Sequence, residues 1–269
     1  MQRTTARGAR PQVQMLLLAL AITVILWFIP FLDLLAYPFR LFVTFIHESG
    51  HAIAALLTGN RVHSLGVSPN GSGVVYTSGG NWLTGMFIAS AGYLGAMAYG
   101  TLLLVLIRRG VFPRVILYCS AIPILALTLI YGRGTPFTLV AGILLALALL
   151  AVGRYARPAI AGFLVALLAV QCIFNAFFDL RTLLFLSAPF SRGAGTDAAN
   201  MARITHLPAI FWALLWTALA VVMLVGALRL YVGGNGTATE LPLPRRRTRT
   251  GTRATPRETP AWPPASEQG

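Results

Sequence analysis

Long uninterrupted apolar runs constrain this chain more than any other feature. Candidate spans occur at about residues 14–33, 36–58, 82–107, 112–131, 135–153, 157–180 and 208–232. A helix needs about 20 consecutive apolar residues to cross the hydrocarbon core of a bilayer, because 1.5 Å of rise per residue must cover about 30 Å. Hydrophobic residues make up 57% of the 269 residues and charged ones only 10%, a balance that excludes an ordinary soluble domain. The breaks are short: Pro30, Arg108-Arg109-Gly110, Gly132-Arg133-Gly134 and the stretch from Gly153 to Pro158. Such connections make neighbouring helices antiparallel. The expected fold is an all-α polytopic membrane protein, a bundle of about six to seven transmembrane helices, in a cell membrane.

Three regions divide the chain. Residues 1–13 carry Arg3, Arg7 and Arg10 without an acid, residues 14–232 hold the helices, and residues 233–269 form a Pro-, Thr- and Arg-rich tail that cannot support a core. All 21 basic residues are Arg, and the formal net charge is +14. Their placement at helix ends and in both terminal segments fits contact with anionic lipid headgroups. The run Arg245-Arg246-Arg247-Thr248-Arg249 lacks aromatics or a binding module, so a nucleic-acid role is disfavoured. Cys119 and Cys172 fall inside predicted spans and imply no disulfide framework. The three N-terminal arginines favour a cytoplasmic start, but seven crossings would leave the Arg-rich tail outside, so either one span is re-entrant or the orientation is reversed.

Before the tail the acids are Asp33, Glu48, Asp179 and Asp197. Glu48 stands out because it lies in an apolar helix between His47 and His51, and ionisable groups in a membrane are costly without a function. Two histidines four apart share a helix face and converge on one tetrahedral cation, and the intervening carboxylate is placed to take a proton from an attacking water. This is the H-E-x-x-H pattern of zinc hydrolases, with His47 and His51 as ligands of one zinc per chain and Glu48 as the base.

An open catalytic site wants a third protein ligand. Asp179 is preferred, because Asn175 lies one turn earlier on the same face and supplies a group to orient a ligand or polarise a substrate carbonyl. Asp197 is held in reserve, either as ligand or as the N-cap of a helix over residues 198–202. His63 and His206 fall in predicted loops and read as solvated. Residues 61–77 fit two short strands around Asn70-Gly71.

His47-Glu48-Ser49-Gly50-His51-Ala52 within a membrane helix, the Gly-rich β-prone stretch after it and the distant Asp179 resemble the site-2 protease family of intramembrane zinc metalloproteases. The resemblance covers roughly residues 36–185. Where that family usually has Asp-Gly at the third ligand, Asp179 is followed by Leu180. The resemblance implies a zinc-dependent endopeptidase that cuts membrane-protein substrates within the bilayer, with the hairpin holding substrate as an added strand. Two other readings are a metal-binding transport or scaffold protein, and a membrane zinc hydrolase of non-peptide substrates. A role for Glu48 independent of metal binding separates the enzymes from the transporter.

Overall fold

The computed structural model describes residues 5–187 and 195–233; the tail from residue 234 onward lies outside them. The described residues form eight α-helices: α1 (Thr5–Phe28), α2 (Asp33–Leu57), α3 (Trp82–Arg108), α4 (Pro113–Tyr131), α5 (Pro136–Tyr155), α6 (Pro158–Leu186), α7 (Asp197–Thr205) and α8 (Ala209–Gly233). Between α2 and α3 stand the antiparallel strands β1 (Arg61–Val67) and β2 (Gly73–Ser78). Prolines open α4, α5 and α6, where the missing N–H would find no intrahelical partner. Asn81 and Thr84 form a capping box at the start of α3.

Five helices, α3, α4, α5, α6 and α8, are long and apolar enough to cross a membrane. The first two expected spans differ from expectation. α1 and α2 meet at a short turn, Pro30–Leu32, where the direction changes by 111°, so together they make one broken span or a re-entrant pair. The seven expected spans thus become five, or six with the bent pair counted once. Pro30 cannot continue α1, and His47, Glu48 and His51 lower the apolarity of α2.

α2 packs in the middle of the bundle. Phe42 and Phe45 are fully buried in a core shared with Leu65 of β1, Leu117 and Ile124 of α4, and Val165 and Leu168 of α6. Its crossing with α3 is close because Gly50 faces the backbone of Ala91 and Gly92. A methyl group on Gly50 would overlap the Ala91 carbonyl, a backbone atom that cannot rotate away. Gly50→Ala is therefore expected to destabilise the protein by about 1–3 kcal/mol, the usual scale for overpacking, measured as a lowered unfolding midpoint in detergent.

Side chains fix the hairpin over α2. Thr138 Oγ1 accepts from the Val67 N–H at 2.8 Å and donates to the Val67 carbonyl at 3.0 Å. Tyr37 OH donates to the Pro69 carbonyl at 2.7 Å, and Thr44 Oγ1 donates to the Gly71 carbonyl at 2.8 Å. Gly71 takes the left-handed conformation the turn needs, at φ +87°. His63 sits where the register slips between Val62 and Ser64, and its Nε2 meets Ser78 Oγ at 2.5 Å within the hairpin.

Candidate metal centre

One turn apart on α2, His47 and His51 bring their Nε2 atoms to 3.1 Å. The His51 Nδ1 lies 2.6 Å from the Ile88 carbonyl, which can only accept, so Nδ1 carries the proton and the Nε2 lone pair is free for a cation. Across the site, α7 delivers Asp197: its Oδ2 is 3.5 Å from the His47 Nε2 and 3.4 Å from the His51 Nε2. Ligands about 2.0–2.1 Å from a tetrahedral zinc stand roughly 3.3–3.4 Å from one another. The three atoms therefore already have the spacing of one face of such a tetrahedron, and the donor set, two imidazoles and a carboxylate, suits zinc.

Gly92 of α3 forms the floor of this triangle. A methyl group built on it would overlap both Nε2 atoms and lie equally far from the two. The absent side chain keeps the space in front of both Nε2 atoms clear. Burial pushes the Asp197 carboxyl up, but the two imidazoles, when protonated in the absence of an ion, outweigh it and hold Asp197 below the usual carboxylate range.

Aromatic packing supports the histidines from behind. Tyr93 meets the His47 ring edge-on at 4.7 Å between centroids and stacks on Trp216 of α8 at 5.6 Å. Trp216 Nε1 donates to Ser90 Oγ at 3.1 Å, which ties α8 to the turn of α3 that carries Gly92. α7 is held between α3 and α8 by buried Ala198 and Met201 and by the Trp212 Nε1 hydrogen bond to Thr205 Oγ1 at 3.0 Å.

Glu48 is buried beside the histidines but on the hairpin side. Gly73 approaches so closely that a side chain there would overlap the Glu48 carboxylate. A cavity of about 680 Å³ opens in front, lined by His47, Glu48, His51 and Asp197, by β2 from Gly73 to Val75, and by Asn175, Asp179 and Thr182 of α6.

Of the residues expected from sequence, the fold gathers His47, Glu48, His51 and Asp197. Among the described residues, His47, His51 and Asp197 form the group with ligand atoms all within 4.8 Å of one another. Asp179 reaches the same cavity and accepts a hydrogen bond from Asn175 Nδ2 at 2.7 Å, without joining that group. In geometry the expected order of the two acids is reversed. Asn175 is thus spent on Asp179, its helical neighbour one turn on. Asp197 is not the N-cap either: Thr196 caps α7 by accepting from the Ala199 N–H at 3.2 Å, which leaves the Asp197 side chain free to face the histidines. His206 ends α7 in the left-handed conformation, at φ 60°. Gly92, Tyr93 and Gly73 were not expected at the site, although Gly92 belongs to Ala89-Ser90-Ala91-Gly92-Tyr93-Leu94-Gly95-Ala96, a stretch whose small residues signal close helix approach.

A membrane-helix bundle with a His-Glu-x-x-His helix at a buried cavity defines a polytopic protein of the metalloprotease class. The family model described as Peptidase M50B-like matches residues 15–227, and the chain belongs to this family of membrane metallopeptidases, the family of the site-2 proteases. No curated protein and no solved structure matches the chain significantly.

Proposed function

We propose that the protein is a zinc-dependent intramembrane endopeptidase that hydrolyses peptide bonds in or near transmembrane segments of other membrane proteins. The observation that carries this reading is the placement of Glu48 between the His47, His51 and Asp197 triangle on one side and the backbone of β2 on the other, all on one cavity. Those three residues would hold a zinc ion, which when bound would supply Lewis-acid polarisation of the scissile carbonyl. Glu48 takes a proton from the attacking water and gives it to the leaving amine. β2 is paired on one side by β1, and its residues line the cavity, so an unwound substrate segment aligned along it gains main-chain hydrogen bonds and comes to lie past Glu48. A peptide bond must leave helical form before it can be attacked, and a strand template stabilises that form.

The test is co-expression with single-span membrane proteins and mass analysis of the fragments. New termini inside or beside the span, dependent on His47 and His51, support the reading. Intact spans across a broad substrate panel, with metal bound, favour the transport or scaffold alternative.

The two acids provide a separate prediction. Asp197→Ala is expected to lower zinc content strongly, while Asp179→Ala leaves most of it, because Asp197 alone has an oxygen within 3.5 Å of both Nε2 atoms. Metal analysis of the purified variants decides, and the opposite order would return the third-ligand role to Asp179.

A further inference from the structure

We infer that Tyr93 is a further catalytic residue, whose phenol O–H donates a hydrogen bond to the carbonyl oxygen of the scissile peptide bond as negative charge gathers there. The role rests on the proposed peptidase activity.

The Tyr93 ring is fixed while its hydroxyl is unused. His47 meets the ring edge-on at 4.7 Å between centroids, and Trp216 stacks on it at 5.6 Å with an interplanar angle of 28°. Trp216 is itself fully buried and tied to Ser90. A ring confined in this way is ordered before any ligand arrives, so a hydrogen bond from its oxygen costs little further entropy. A tyrosine in the protein interior usually gives its O–H a partner, because an unmade bond costs about 1–3 kcal/mol. Two other tyrosines follow that rule: Tyr99 OH donates to Ser120 Oγ at 2.5 Å and Tyr37 OH to the Pro69 carbonyl at 2.7 Å. Among the described residues the Tyr93 hydroxyl has no such bond.

Tyr93 lines the metal cavity, and its oxygen lies within electrostatic reach of Asp197, Asp179 and Glu48. Those acids have other partners: Asp197 faces the two Nε2 atoms and Asp179 accepts from Asn175. The other donors of the cavity are engaged or distant. Thr44 donates to the Gly71 carbonyl, Thr182 to the Phe178 carbonyl, and Asn175 is turned to Asp179. Arg40 pairs with Asp33 and starts seven residues before His47, about 10 Å away along the helix. Tyr93 thus combines a free donor with direct contact to a ligand ring.

Glu48 takes the proton of the attacking water, the water oxygen bonds to the carbonyl carbon, and the C=O π pair moves onto the carbonyl oxygen. That oxygen changes from a weak acceptor to an anion, so a donor already fixed beside it favours the addition state over the planar amide. Tyr93 keeps its proton throughout. The electron pair then returns to re-form C=O, the C–N bond breaks, and the leaving amine takes the proton held by Glu48. The two groups come from different elements, Glu48 from α2 against the hairpin and Tyr93 from α3 backed by α8. Each can therefore serve its own oxygen.

The experiment compares Tyr93→Phe with the unaltered chain, both full length, zinc-loaded and in the same detergent. One probe is an apolar peptide whose central peptide bond is replaced by a phosphinate, which carries the tetrahedral centre and anionic oxygens of the addition state. The other is the same peptide with a ketomethylene unit, which keeps the planar carbonyl. Tyr93→Phe is expected to bind the phosphinate peptide about 10- to 100-fold more weakly, the scale of a hydrogen bond to a charged group, and the ketomethylene peptide equally well. Zinc content and the unfolding midpoint should stay the same, because the hydroxyl that is removed has no partner in the fold. Unchanged phosphinate affinity, or a loss shared by both peptides, overturns the role. Loss of zinc or a lowered midpoint overturns it too, by making the hydroxyl a support of the fold around His47. If the unaltered chain holds zinc and binds neither peptide, the peptidase reading itself fails and the role falls with it, a result separate from any difference between the two proteins.

Discussion

Glu48→Gln is expected to lower cleavage of a membrane-embedded substrate by about 10⁴-fold, the upper end of what one general acid-base group contributes, with zinc content and folding unchanged. Gln keeps the size and hydrogen-bonding shape of the side chain but cannot take the proton. The upper end applies because the proposed mechanism uses Glu48 twice, first on the attacking water and then on the leaving amine. Unchanged zinc follows from the placement of Glu48 outside the triangle, against Gly73 of the hairpin, while the ligand atoms belong to His47, His51 and Asp197. The measurement compares single-turnover cleavage by the two zinc-loaded proteins, with metal analysis on the same samples. Equal rates would remove Glu48 as the base. Loss of zinc would make it a ligand and require a different proton acceptor.

The helices and the two histidines were legible because each depends on local pattern. Apolar runs near 20 residues can satisfy their backbone in a bilayer only as helices, and the i,i+4 spacing of His47 and His51 is converted to proximity by the helix itself. The hairpin was legible for the same reason, through Asn70-Gly71 between β-branched stretches. What depended on tertiary placement was not. Asp179 was attractive as a ligand because Asn175 lies one turn before it, yet that spacing is what lets the two side chains bond each other at 2.7 Å. Asp197 comes from a nine-residue helix whose position over α2 is set by α3 and α8, through Met201, Trp212 and Trp216. Nothing near Asp197 in the sequence encodes that. The place of the bend between α1 and α2 escaped too, since the apolar pattern does not distinguish a straight pair of spans from one that turns by 111° at Pro30–Leu32.

Gly92→Ala is expected to reduce zinc from about one per chain to near zero, although residue 92 is not a ligand. A methyl group there would overlap the Nε2 atoms of both His47 and His51. The imidazoles cannot yield cheaply, because His51 is tied to the Ile88 carbonyl at 2.6 Å and His47 is backed by the Tyr93 ring at 4.7 Å. If they do swing aside, their lone pairs no longer converge with Asp197; if they do not, the methyl group occupies the space of the ion. Either way the site is lost. Gly95→Ala is the control, since it lies one turn along the same helix and a methyl group there meets Gly50 Cα at an ordinary 3.7 Å. That variant should keep its zinc and its helical circular dichroism. Metal analysis of both variants, each first shown to elute as a folded species in detergent, separates a blocked ion site from a disturbed helix crossing. Full zinc in folded Gly92→Ala would mean that the ion sits elsewhere than above Gly92, whereas zinc loss in both would assign the effect to the packing of α2 on α3.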